Sequence, residues 1–367
     1  MAKSKNVSFG KFFLPGPTEV RPEILNAMTR PMIGHRVAEM EALIGHIQPG
    51  LRYVFQTNRP VYIAASSATG LMEAAIRNGA RRRVLCLVNG AFSERFYKIA
   101  VATGLAADPL EVEWGAVNTP EQLEHALRRG IYDAVTVVHS ETSTGVLNPI
   151  RELAEVTRRA GDVVLLVDAV SSMAGARIET DAWGIDFMLT GSQKCFALPP
   201  GLAFGAAQPN ILERAKSKPD RGIYFDFVEY ERNIQNNQTP NTPAVSLLYA
   251  LAEQLDAIRQ ETIEARWARH NEMAQRTYEW VAGMNDRGVR LEILAPEGYR
   301  SPTVTTIRAP EGWTGPRLAA AVKQRGFQIA TGYGRLKDET FRIGHMGDHT
   351  VDELEELLDV LTEVLTA

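Results

Sequence analysis

The chain reads as an α/β protein, with a largely parallel sheet covered by helices and a smaller α+β unit after it. Three features of its 367 residues predict this. Short apolar or β-branched runs alternate with helix-like segments from about residue 60 to 205. A long irregular, amide-rich stretch then interrupts the pattern at 219–243. Beyond about residue 300 the chain carries separate strand and helix signals.

The elements follow in order. Runs at 61–65, 84–88, 134–139, 163–167, 187–190 and 202–206 are too short and too apolar for surface helices and suit buried strands. Between them, Thr119-Pro120-Glu121 opens a helix with a hydroxyl cap, proline in the first turn and an acid near the positive end, and Gly130 closes it. Another helix runs from Pro149-Ile150-Arg151 to Ala160, closed by Gly161. Strands separated by helices of this length imply crossover connections and parallel pairing. The stretch RGIYFDFVEYERNIQNNQTPNTPAV is expected as a long functional loop. A region dense in Ala, Leu, Glu and Arg follows at 244–284 and reads as helix. Strands at 304–307, 328–330 and 340–343, a helix at 317–325 and a terminal helix from Val351 make up the second unit.

Composition excludes several classes. Lys and Arg number 40 against 44 Asp and Glu, a net charge of −4, which offers no long-range attraction to nucleic acid or an anionic membrane. Cys86 and Cys195 are the only cysteines, far apart in apolar surroundings, so neither a disulfide framework nor a cysteine zinc site is expected. The N-terminal residues lack a secretory pattern, no apolar run is long enough to span a bilayer, and a cytoplasmic protein is expected. Asn6-Val7-Ser8 would be a glycosylation site only in a secreted chain. No metal is expected: His345 and His349 have helical pair spacing, but Gly344 and Gly347 argue against a helix and no third ligand is evident.

The chemistry-bearing residues gather at strand ends. Asp168 closes an apolar strand in VDAVSS, and Lys194 follows the next strand in TGSQKC. A carboxylate there is costly to bury without a cation, and a lysine among small residues is desolvated into a usable nucleophile and base. The pair suits pyridoxal phosphate, with the lysine bonding the aldehyde and the acid facing the ring nitrogen; a structural ion pair would use the same two residues. Ser66-Ser67-Ala68-Thr69-Gly70 lies between a strand and a helix, where hydroxyls and free N–H groups form a phosphate cup. Neither dinucleotide nor nucleotide glycine motif is present. Asn89-Gly90-Ala91-Phe92 offers an aromatic face, and His139 to Gly145 (HSETSTG) offers hydroxyls and one acid.

Together SSATGLMEA, NGAF, HSETSTG, VDAVSS, GSQKCFALPPG, TPNTP and FRIGHMGD resemble the class V aminotransferases of PLP fold type I, in the alanine/serine–glyoxylate (or pyruvate) branch, over nearly the whole chain. The resemblance implies a seven-stranded, mostly parallel sheet in a large domain at 14–262, a small α+β domain at 263–367 and an N-terminal arm at 1–13. It implies Lys194 as the Schiff-base lysine and Asp168 as the pyridinium partner. Val170 would pack beneath the ring and Phe92 above it, and Thr142 would bond its phenolic oxygen. Ser67, Ala68, Thr69 and Gln193 would hold the phosphate, Arg342 the substrate carboxylate, with Gly16 a second substrate contact. In a homodimer, Gln238, Thr239, Asn241 and Thr242 of the 219–243 loop would complete the partner's cofactor site. The activity implied is ping-pong transfer of an amino group from alanine or serine to glyoxylate or pyruvate. Transaminases of 2-aminoethylphosphonate or of pyridoxamine with pyruvate share these motifs. A cysteine desulfurase needs a mobile loop cysteine, and neither Cys86 nor Cys195 stands on one; Cys195 reads as a packed, inert thiol.

Overall fold

The computed structural model describes residues 9–367. The Asn6 sequon and residues 1–8 of the expected N-terminal arm lie outside the described residues. In chain order the strands are β1 (Phe12–Phe13), β2 (Val61–Ala64), β3 (Arg83–Val88), β4 (Ala106–Glu111), β5 (Ala134–Val138), β6 (Ser140–Glu141), β7 (Val146–Leu147), β8 (Val164–Asp168), β9 (Phe187–Gly191), β10 (Ala203–Ala207), β11 (Glu292–Ile293), β12 (Thr305–Arg308), β13 (Gln328–Thr331) and β14 (Thr340–Ile343).

Seven of them form one sheet in the order β2-β10-β9-β8-β5-β3-β4. Only β10 runs antiparallel to its neighbours, β2 and β9; the other pairs are parallel. The carboxyl ends of β2, β3, β5, β8 and β9 therefore lie along one edge. β5, β8, β9 and β10 are buried along their whole length, as strands covered by helices on both faces must be. Each fully buried Val, Leu or Ile contributes about 1.5–3 kcal/mol relative to exposure.

A second sheet, β1-β13-β14-β12-β11, packs over its own cluster of Phe13, Ile307, Phe341, Ile343, Leu354 and Leu357. The N-terminal strand β1 joins it by parallel pairing to β13, Phe12 opposite Gln328. The closing helix, Val351–Thr366, starts where the sequence predicts, with Thr350 and Glu353 capping each other.

Three elements depart from expectation. β4 is an edge strand of sequence AADPLE with no buried residue, so it lacks the apolar signature used to find its neighbours, and its proline is tolerated at an edge. The 219–243 stretch contains a helix, Phe227–Ile234, capped by Asp226, whose carboxylate accepts from the Val228 N–H at 2.9 Å. Its buried face, Phe227, Tyr230 and Ile234, has helical spacing, and Phe227 stacks on Phe187 with centroids 4.6 Å apart. The long helical region is two helices, Val245–Glu261 and Ile263–Asp286, broken at Thr262, whose φ is 70° and whose hydroxyl caps the second helix. No described helix is long and apolar enough to cross a membrane.

Candidate active site

A cavity opens at the shared carboxyl edge of the large sheet, where α/β folds collect ligand groups. Its wall includes Ser67, Ala68 and Thr69 after β2, Phe92 and Arg95 after β3, Thr142 after β5, Asp168 and Val170 at β8, and Gln193 and Lys194 after β9.

Asp168 is the last residue of β8 and is almost wholly buried. One carboxylate oxygen accepts from the Val170 N–H at 2.7 Å. Burial pushes its pKa up to about 7, against the pull of that N–H and of Lys194 and Arg95. Lys194 stands nearby, also buried, its amine donating to the Pro15 carbonyl. Burial, with the Arg342 guanidinium next, lowers its pKa to about 8, so a neutral amine is accessible near physiological pH. Gly16 lies directly on the Lys194 stem: a Cβ there would sit 2.4 Å from the lysine Cδ, and its φ of 97° is itself one that side chains rarely adopt. The Thr18 N–H and hydroxyl bond the carbonyls of Gln193 and Lys194 at 3.0 and 3.1 Å, fixing the lysine's backbone.

The segment 140–147 is a two-stranded hairpin, β6 on β7, turned by Gly145 at φ 76°. It points the Thr142 hydroxyl at that of Ser171, 2.5 Å away. Glu141 is fully buried and turns the other way. Its carboxylate accepts from the N–H groups of Phe92 and Ser93 at 3.2 and 2.9 Å and from the hydroxyls of Ser93 and Ser143 at 2.9 and 2.7 Å. It thus caps the helix Ala91–Ala102 from across the fold, and an anion there also meets the positive end of the helix dipole. Gly90 makes this possible, since a Cβ would come within 2.4 Å of the Glu141 Cγ. The cap holds Phe92 at the cavity, with the Lys194 amine 5.9 Å from its ring centroid.

The helix Ala68–Gly79 begins at Ser67, whose side chain makes no cap bond, so its hydroxyl and the first-turn N–H groups are available to an anion. Gly70 packs on Phe225, to which a Cβ would approach within 2.5 Å. The front of the 219–243 stretch therefore rests on the cup of its own chain.

Arg342, on β14 of the second sheet, is buried and comes in beside the hairpin. It donates to the carbonyls of Thr331 and Thr142 at 2.9 and 3.1 Å and stands 5.6 Å from the Tyr333 ring centroid. Burial lowers its pKa to about 10, still charged at neutral pH. Nine of the residues singled out from sequence thus meet on one wall, with Gly16 against Lys194 and Arg342 against Thr142. Gln238, Thr239, Asn241 and Thr242 do not join them. Gln238 donates to Glu41 at 2.8 Å, the Thr239 hydroxyl to the Asn241 carbonyl at 2.7 Å, and Asn241 and Thr242 are exposed. Ser140 and Ser171 line the cavity from the HSETSTG and VDAVSS segments, and Arg95, Met72 and Val138 line it as residues that the sequence reading gives no role; for Arg95 its helical spacing from Phe92 is the available signal. Cys195 is fully buried and its thiol pKa is pushed up to about 12, the inert packing expected.

The aminotransferase class-V family matches residues 26–334. This chain is a class V aminotransferase. An uncharacterized aminotransferase of Methanocaldococcus jannaschii is 41% identical over 342 residues, 91% of this chain and 87% of that protein. The serine–glyoxylate aminotransferase of Methylorubrum extorquens is 32% identical over 361 residues, covering 95% and 89%. The crystal structure of a subgroup IV aspartate aminotransferase from Thermus thermophilus superposes with a TM-score of 0.88 at 32% identity, covering 97% of this chain and 99% of that one. The fold is that of PLP fold type I enzymes, and the cofactor of this aminotransferase is pyridoxal 5′-phosphate. The cavity fits it. Asp168 is a buried carboxyl with a single N–H donor, suited to a protonated ring nitrogen; an uncapped helix start suits the phosphate, and a buried amine of lowered pKa suits the aldehyde.

Proposed function

We propose that the class V aminotransferase transfers the amino group of a small amino acid, alanine or serine, to a small 2-oxo acid, glyoxylate or pyruvate, at this cavity. The observation that carries the reading is the meeting of Lys194 and Asp168 in one buried cavity that also holds the Ser67–Thr69 cup, with Arg342 arriving at its side. The serine–glyoxylate relative supports the choice of substrates. Bound pyridoxal phosphate supplies an electron sink for the carbon that loses its proton.

In this reading Ser67, Ala68, Thr69 and Gln193 hold the phosphate, and Asp168 keeps the ring nitrogen protonated, which a dry site would otherwise disfavour. Phe92 and Val170 close the two faces against water, and Thr142 bonds the phenolic oxygen. Arg342 fixes the substrate's α-carboxylate in a bidentate fork, with Gly16 beside it. The Lys194 amine, neutral in part near pH 7, takes the α-proton. We further propose a homodimer in which the 219–243 loop, through Gln238, Thr239, Asn241 and Thr242, completes the partner's cofactor site. The 89% exposure of Ile223 on that loop supports it. The domain limits at 14–262 and 263–367 are kept, on the support of the break at Thr262. Two free, buried cysteines support a reducing compartment, and the cytoplasm is our assignment.

The test is a screen of alanine, serine, glycine and 2-aminoethylphosphonate against glyoxylate and pyruvate, read by the keto and amino products. Alanine or serine with glyoxylate should give glycine. Activity confined to the phosphonate, or sulfide release from cysteine, would overturn the reading.

A further inference from the structure

The cavity wall carries three charged residues, Lys194, Asp168 and Arg95. The first two have tasks; Arg95 has none in the reading above. It lies one turn beyond Phe92 on the helix Ala91–Ala102, and its guanidinium carbon sits 4.9 Å from the Phe92 ring centroid. It donates to the Tyr333 hydroxyl at 3.2 Å. Glu94, its neighbour in sequence, is engaged with Lys98 at 2.6 Å, and among the described residues no carboxylate pairs with Arg95. Of the other acids of the region, Glu141 is saturated by the helix start and two hydroxyls, while Asp168 in the same cavity and Glu111 in the adjoining groove form no ion pair with Arg95 among the described residues.

Tyr333 links this cation to the other one at the site. Arg95 holds its hydroxyl while Arg342 stands 5.6 Å from its ring centroid, so two guanidiniums, one from each sheet unit, flank one tyrosine. Arg95 is half-buried, held by an aromatic face and a phenol, and spends one of its five N–H donors on Tyr333. A guanidinium fixed in this way, with most of its donors unspent at a cavity wall, is preorganised for a carboxylate. An apolar substrate end would leave it unpaired.

Resting on the assignment of Arg342 to the α-carboxylate, we infer that Arg95 is a specificity residue that takes a second carboxylate, extending the donors to dicarboxylic amino acids, of which aspartate is the smallest common one. One carboxylate lies on each guanidinium, and Tyr333 keeps the two cations apart.

The test uses the cofactor-loaded enzyme, titrated calorimetrically with succinate and with propionate, which differ by one carboxylate. Succinate should bind about 10- to 100-fold tighter, the range expected for hydrogen bonds to a charged group. In Arg95→Gln that ratio should collapse toward one, while Arg95→Lys, which keeps the charge without the fork, should restore part of it. The ratio of kcat/KM for L-aspartate over L-alanine should fall by a similar factor. Equal affinities for the two acids in the wild-type enzyme, or an equal loss of both in Arg95→Gln, would overturn the inference. A succinate preference in an enzyme that transfers nothing from alanine, serine or aspartate to glyoxylate would overturn the proposed function and leave the Arg95 subsite standing.

Discussion

Two buried carboxylates stand at neighbouring strand ends, and the fold treats them in opposite ways. Glu141, at the hairpin after β5, is surrounded by donors: three backbone N–H groups and two hydroxyls. Asp168, at the end of β8, has one N–H and is pushed up to about 7 by burial. A buried carboxylate with its lone pairs filled is a structural anchor. One left short of partners in a cavity is held for a cation that the chain itself does not bring into contact. The contrast teaches which acid serves the fold and which the chemistry, although both are invisible to solvent.

The comparison can be broken from several sides. The largest effect belongs to the group opposite Asp168. Lys194→Ala should abolish turnover, since proton transfer alone accounts for about 10²–10⁴-fold and covalent attachment adds to it. Borohydride reduction of the loaded enzyme should then leave no cofactor bound to the chain. Persisting activity or attachment would end the assignment.

Isosteric removal of each acid's charge sharpens the contrast. Asp168→Asn should lower kcat by about 10²–10³-fold, the scale of losing one electrostatic partner in a dry site, without lowering stability. Glu141→Gln should instead cost about 2–4 kcal/mol of stability, because its buried donors lose a charged acceptor. Urea unfolding and kinetics of both variants would settle it; activity loss in both, with equal stability, would erase the distinction.

A smaller effect is one of pH. The folded pKa of Asp168, about 7, lies above the unfolded value near 4, so the folded state holds the proton more tightly. The cofactor-free protein should therefore lose stability from this residue as pH rises from about 4 to 7, with the cost complete above 7. Asp168→Asn should lack that part of the slope, as urea midpoints of the two cofactor-free proteins at pH 5 and pH 7.5 would show. The smallest change is Gly145→Ala, in the hairpin turn. A φ of 76° and a Cβ 3.1 Å from the Thr306 N–H nitrogen should cost about 1–2 kcal/mol, read as a lower Tm.

Much of this architecture was legible in the chain. The buried strands announced themselves by apolar runs, and the polar residues following them marked the edge where the cavity lies. What escaped has physical causes. β4 is an exposed edge strand and carries no apolar run. The helix Phe227–Ile234 hides among amides because only three of its residues face the core. Gln238, Thr239, Asn241 and Thr242 are kept apart from their own chain's cavity by bonds to Glu41 and within the loop. Hydrophobic periodicity reports which face of an element is buried, and not where an exposed loop travels.

The sequence by itself determined the chemistry available: an amine, a carboxyl, hydroxyls and an aromatic ring at successive strand ends, because strand and helix periods are local properties of the chain. Only the tertiary structure decided how those groups are divided. Glu141 caps a helix start 49 residues before it in the chain, and Arg342 reaches Thr142 from 200 residues further on. Such partnerships depend on how the sheets are ordered and packed, and that ordering sets which buried charges are satisfied and which remain free to act.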